Sequence, residues 1–179
     1  MKIHKLGCGK KAKSSFVWWG CLCVMVTLIV IINSFVLTLA IVSGNSMYPS
    51  LRAGDFLIVD RIHKMPSRGN VILVRVSPIE AGGQYIVKRV IATGGELVTI
   101  DYDKNEVRIN GEVLPEPYIN YEEADPMSDG TGTIEYSIPS GHVFVMGDNR
   151  NHSMDSRDEE IGFVSEDNII GKVIAQFKQ

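Results

Sequence analysis

Two residues of this 179-residue chain have the chemistry to form and break an acyl bond together, Ser46 and Lys88. Ser46 stands in Gly44-Asn45-Ser46-Met47-Tyr48-Pro49-Ser50-Leu51, a segment whose Gly and Pro mark it as a loop. A serine hydroxyl is a weak nucleophile until a base takes its proton. A lysine serves as that base only when neutral, and at the ordinary pKa of about 10.4 roughly one in 2,500 is neutral at pH 7. Burial disfavours the ammonium and lowers a lysine pKa by up to about 3 to 5 pH units, enough to supply the free amine. In Tyr85-Ile86-Val87-Lys88-Arg89-Val90-Ile91-Ala92, alternation puts Lys88 on one face with Ile86, Val90 and Ala92. That face predicts burial.

Other pairings are poorly supported. Ser46 is not in a G-x-S-x-G elbow, and Lys88 follows it by 42 residues, which excludes an S-x-x-K arrangement. His63, His142 and His152 with Asp148 or Asp155 have no spacing that signals a triad. A zinc site is not called for either, since there is no H-E-x-x-H and every cysteine (Cys8, Cys21, Cys23) lies in the first 23 residues. No cofactor or metal is expected. Taken singly, Ser46 also fits an ordinary loop serine, and Lys88 a solubilising edge-strand lysine.

The elements that must carry these residues are short and β-rich. Runs at 55–60, 70–76, 84–92, 96–101, 106–109, 142–146 and 169–177 alternate with Gly and Pro breakers, which predicts a mainly antiparallel β domain over residues 43–179. Asn110-Gly111 is the strongest hairpin signal. Residues 102–141 read as a small inserted subdomain or loop region. Within it the acidic stretch Glu116–Tyr136 reads as a solvated surface loop, because its acids lack the ordered spacing of a calcium site. With no exported cysteine, the domain must be held by its own core.

Charge sets the layout. The total is 18 Lys plus Arg against 21 Asp plus Glu, a net charge of -3. Five of the lysines fall in residues 1–14, the first acid is Asp55, and the remainder carries -8. Nucleic acid is therefore an unsuitable partner for the body of the chain. Phe16–Val42 gives 27 nearly uninterrupted apolar residues, about 40 Å as a helix. A single transmembrane anchor helix is expected over residues 15–42, with the lysine tail cytoplasmic and the domain extracytoplasmic at the cell membrane. The competing reading is a cleaved signal, whose apolar core is usually only about 7 to 15 residues.

Three segments in order, S-G-N-S-M-Y-P-S-L, Y-I-V-K-R-V-I-A-T-G-G-E and M-G-D-N-R-N-H-S-M-D-S-R, follow one N-terminal apolar run. Together they resemble the bacterial type I signal peptidases. The resemblance implies a serine protease with a Ser/Lys dyad, Ser46 the nucleophile and Lys88 the general base. It implies that Ser153 hydrogen-bonds and orients the lysine, that Asp155 and Arg157 form a supporting ion pair, and that Gly147 lets the backbone approach the lysine. Met47, Leu51, Ile86 and Val87 match positions near the substrate cleft, where the family reads small residues in an Ala-x-Ala pattern before the cleaved bond. The implied partners are signal-peptide-bearing preproteins and the lipid bilayer. Gly44 departs from members that carry a serine two positions before the nucleophile, whose hydroxyl assists the backbone N–H in the oxyanion hole.

Two other readings share these residues. One is a membrane-anchored β domain that binds a partner without catalysis, for which Ser46 and Lys88 are dispensable. The other is a self-processing Ser/Lys protease of the repressor-cleaving type, which the long apolar run disfavours.

Overall fold

The computed structural model describes residues 11–31, 35–63, 65–76, 84–119, 126–128 and 130–179. The basic tail expected at 1–14 lies outside them up to residue 10, as do Glu122, Glu123, Asp125 and Asp129. The chain divides into two compact units between Val36 and Leu37.

The first unit contains helix α1, Lys11–Ile31. From Val17 to Ile31 its side chains are exposed on every face. Among the described residues, no helix is long and apolar enough to cross a membrane. The single helix expected over 15–42 does not run through, because Leu37–Ile41 leave the apolar run to form strand β1 and pair with Phe56–Asp60. A continuous apolar run satisfies a helix or a buried strand equally, so composition alone misplaced this boundary.

Among its described residues the second unit has eleven strands: β1 (Leu37–Ile41), β2 (Phe56–Asp60), β3 (Val71–Arg75), β4 (Tyr85–Thr93), β5 (Leu97–Asp101), β6 (Glu106–Ile109), β7 (Glu112–Val113), β8 (Thr133–Ser137), β9 (His142–Met146), β10 (Val164–Ser165) and β11 (Ile169–Phe177). Seven form one antiparallel sheet in the order β1-β2-β11-β3-β4-β9-β10, and four form a second in the order β7-β6-β5-β8. The mainly antiparallel β architecture is as the alternation predicts. Asn110 and Gly111, both at positive φ, turn β6 into β7, which is what a two-residue hairpin of the primed type requires.

Three apolar clusters hold the sheets. Leu73 of β3 and Leu57 and Val59 of β2 pack with Val42, Met47 and Leu51. Ile72 and Val74 pack with Val90, Val143, Val145, Val164 and Ile169. Ile91, Ala92, Phe144 and Met146 of the large sheet pack with Val98, Ile100, Val107 and Ile109 of the small one. The last cluster makes β5 part of the insertion, so the inserted unit begins before residue 102. It also corrects the expected face of Ala92. A register shift between Val90 and Ala92 breaks the alternation of β4, and Ala92 turns to the cluster between the sheets.

Candidate functional site

Ser46 sits in the loop that joins β1 to β2. Val42 N–H donates to the Asp55 carbonyl and Gly54 N–H to the Val42 carbonyl, which closes the base of the loop. Within it Tyr48 N–H donates to Asn45 O and Leu51 N–H to Met47 O. Met47 and Leu51 anchor the loop by burying their side chains in the core. Asp55, buried at the loop's end, accepts from Arg52 N–H and from Gln176 Nε2 of β11.

Lys88 reaches this loop from the centre of β4. Its Nζ donates to Ser46 Oγ at 2.6 Å. The lysine is 3% exposed. Desolvation pushes its pKa below the ordinary value, and the Asp155 carboxylate partly opposes that push while the Arg157 guanidinium adds to it. The burial predicted from the β4 pattern is present.

The segment after β9 closes over the serine loop. Asn149 N–H donates to Ser46 O at 3.0 Å, and Asn149 Nδ2 to Asn45 O at 3.1 Å. Gly147 N–H donates to Asp155 Oδ2 at 2.9 Å. A β-carbon at Gly147 would lie 2.3 Å from Ser46 O and 2.2 Å from Ser153 Oγ. The close approach that demands glycine is thus to the serine loop and to Ser153, whereas the resemblance assigned it to the lysine. Ser153 differs as well: its hydroxyl donates to Asp155 Oδ2 at 2.7 Å. It reaches Lys88 only through the carboxylate whose charge acts on the amine.

Asp155 and Arg157 form the expected ion pair, Nε to Oδ1 at 2.8 Å, both side chains almost wholly buried. Burial raises the Asp155 pKa, but the bonds from Arg157, Gly147 and Ser153 outweigh it and hold the carboxyl below its ordinary value. Arg157 also donates to Arg150 O at 2.6 Å, so the pair ties both ends of the loop.

A second buried network escaped sequence reasoning. Arg89 grips Asp148 with two bonds of 2.7 and 2.6 Å and lies 3.9 Å over the Tyr118 ring. Arg150 donates to Gly147 O and pairs with Glu116, both partners at most 4% exposed. Glu116, expected in a solvated loop, is instead a buried counter-ion, because Arg150 cannot be desolvated unpaired. The signal available was one further basic residue in each of the second and third segments, Arg89 and Arg150.

A cleft of about 790 Å³ opens beside the serine, lined by β1, the serine loop and residues 84–88. Ser46, Met47, Ile86, Val87 and Lys88 line it. Leu51 does not; it packs in the core with Leu57 and Val59.

The family model for signal peptidases, peptidase S26, matches residues 15–178. The chain is 34% identical over 170 residues to signal peptidase I T of Bacillus subtilis, covering 90% of this chain and 85% of that one. It is 31% identical over 175 residues to signal peptidase IB of Staphylococcus aureus, covering 89% and 87%. The crystal structure of a signal peptidase I from Enterococcus faecalis superposes with a TM-score of 0.51 at 29% identity, over 63% of this chain and 98% of that one. With a hydroxyl, an amine and a cleft brought together on a fold shared with those enzymes, the chain belongs to the signal peptidase family, peptidase S26, and is a serine protease of the signal peptidase I kind.

Proposed function

We propose that Ser46 and Lys88 are the catalytic dyad that removes signal peptides from exported preproteins at the outer face of the cell membrane. The observation that carries this reading is the 2.6 Å contact between Lys88 Nζ and Ser46 Oγ, made by a lysine whose pKa is lowered by burial. The neutral amine takes the hydroxyl proton as Oγ attacks the scissile carbonyl carbon. The oxyanion so formed is met by the Ser46 N–H. The intermediate collapses, the C–N bond breaks, and the lysine ammonium returns its proton to the leaving amine. Water then attacks the acyl carbon, giving a proton to Lys88; the bond to Ser46 Oγ breaks, the lysine ammonium returns that proton to Oγ, and the released signal peptide carries the new carboxylate.

Asp155, Arg157, Ser153 and Gly147 hold the serine loop and the lysine in this geometry. Met47, Ile86 and Val87 form the cleft wall that accepts a small-x-small sequence before the bond, and Leu51 supports that wall from the core.

Membrane attachment is supported by the uncharged segment from Ser14 to Val36, 23 residues that as one helix would measure about 34 Å. The five preceding lysines favour a cytoplasmic N-terminus. In the domain itself, Ile41, Phe56 and Phe177 lie side by side across β1, β2 and β11 and are all exposed. Such an apolar row suits the lipid interface better than water.

The test is cleavage of a secreted preprotein by detergent-solubilised protein. Ser46→Ala and Lys88→Ala should each lower the rate by at least about 10³-fold while circular dichroism is unchanged. Full activity in either variant sinks the dyad, and absence of cleavage by the parent itself favours a non-catalytic binding module.

A further inference from the structure

The same cleft has a second, positively charged end. Arg75 is the last residue of β3 and Arg61 follows β2, and both line the cleft together with Gln84 and Tyr85. Arg75 pairs in register with Tyr85, as Leu73 does with Val87. Alternation therefore sets Arg75 on the face that Leu73 and Val87 present to the serine loop, one step farther out. None of the described cleft-lining residues is Asp or Glu. Among the described residues, the Nε of Arg75 is buried without a hydrogen-bond partner. A buried donor left unmet is costly, so an acceptor arriving from outside is favoured there.

We infer that Arg75 forms a subsite for an acidic side chain of the preprotein four to six residues before the cleaved bond. The inference rests on the proposed placement of the scissile bond at Ser46 and of the residues before it along Ile86 and Val87. From Lys88 to Tyr85 is three residues of strand, about 10 Å at roughly 3.3 Å per residue. A substrate strand that runs from Ser46 past Val87 and Ile86 must bring its fourth to sixth upstream residues to the arginines. A carboxylate meets the Arg75 guanidinium there and supplies the missing acceptor. A lysine at the same place meets like charge and leaves the Nε unmet.

The experiment uses the full chain in neutral detergent and one preprotein carrying Glu, Gln or Lys in turn at each of the fourth, fifth and sixth positions before the bond. At one of these positions the wild type should cleave the Glu form about tenfold better than the Lys form. Arg75→Gln should reduce that ratio to near one, and Arg75→Glu should invert it. Reading the ratio within each variant cancels changes in overall activity or folded fraction. A wild-type ratio near one at all three positions, or a ratio that Arg75→Glu leaves unchanged, overturns the subsite. Should the wild type cleave none of the preproteins, the proposed function fails first. Fluorescence anisotropy of the corresponding peptides on Ser46→Ala then decides the inference separately, equal affinity for Glu and Lys forms overturning it. Dependence on Arg75 that appears only with anionic-lipid vesicles, and not in neutral detergent, also overturns it and assigns the arginines to lipid phosphate.

Discussion

Lys88 donates to Ser46 across 2.6 Å although 42 residues separate them in the chain, and the lysine that does so is almost wholly buried. Folding thus places an amine where its charged form is disfavoured and sets beside it the hydroxyl whose proton it can take. The cost of that burial is the first thing that can be measured.

Because its folded pKa lies below the ordinary 10.5, Lys88 is bound to fewer protons in the folded than in the unfolded chain between those two values. Stability therefore rises with pH through that window, and the penalty is fully present below it. Lys88→Met should be more stable than the parent at pH 7 by about 1 kcal/mol, or roughly 3 °C in Tm. The gap should close as pH approaches 10.5, and thermal melts across pH would reject the argument if it stayed constant. In the parent, kcat/KM should climb with pH through the same lowered pKa.

Gly147→Ala forces a β-carbon to within 2.3 Å of Ser46 O and 2.2 Å of Ser153 Oγ. Neither neighbour can yield without moving the serine loop or the Asp155 bond. We expect a loss of about 1 to 3 kcal/mol in denaturant stability and at least about 10²-fold in kcat. A variant with wild-type turnover would show that the loop tolerates the shift.

Gly44 offers the opposite case. A β-carbon there meets no atom of the described residues within 4 Å, and its φ is not in the left-handed region. Gly44→Ser should fold with unchanged stability and place a hydroxyl two positions before the nucleophile. If that hydroxyl donates to the oxyanion, kcat rises by about tenfold with KM little changed. Steady-state kinetics on a single preprotein decide it.

Glu116→Ala removes the counter-ion of a buried Arg150. Loss of one partner of such a pair costs about 3 to 5 kcal/mol. Arg150→Met added to Glu116→Ala should recover part of it, since the uncompensated charge is then gone. Urea denaturation of the two single variants and the double variant measures the coupling.

How much of this was readable in advance varied with the kind of signal. β6, β9 and β11 match their expected runs because alternation and flanking glycines act locally, and Asn110-Gly111 marks its hairpin by backbone conformation alone. β1 was hidden because Leu37–Ile41 carry no charged residue that would separate strand from membrane helix. β8 was missed although Thr-Ile-Glu-Tyr-Ser alternates polar and apolar residues, because the five residues sit among the acids, glycines and serines that read as a surface loop. The contact between Ser46 and Lys88 followed from the family resemblance, with the face of β4 supporting burial of the lysine. The pair of Glu116 with Arg150 did not, because its partners lie 34 residues apart and neither stands in a pattern that implies desolvation.

The position of β11 has a consequence for the enzyme's own biogenesis. The last strand of the chain lies inside the large sheet, hydrogen-bonded to β2 on one side and β3 on the other. A chain emerging from its N-terminus presents the serine early, yet β2 and β3 have nothing between them until residues 169–177 arrive. The large sheet therefore closes only once residues 169–177 are in place, so the serine loop and Lys88 are held together late in synthesis and proteolytic competence is deferred until then.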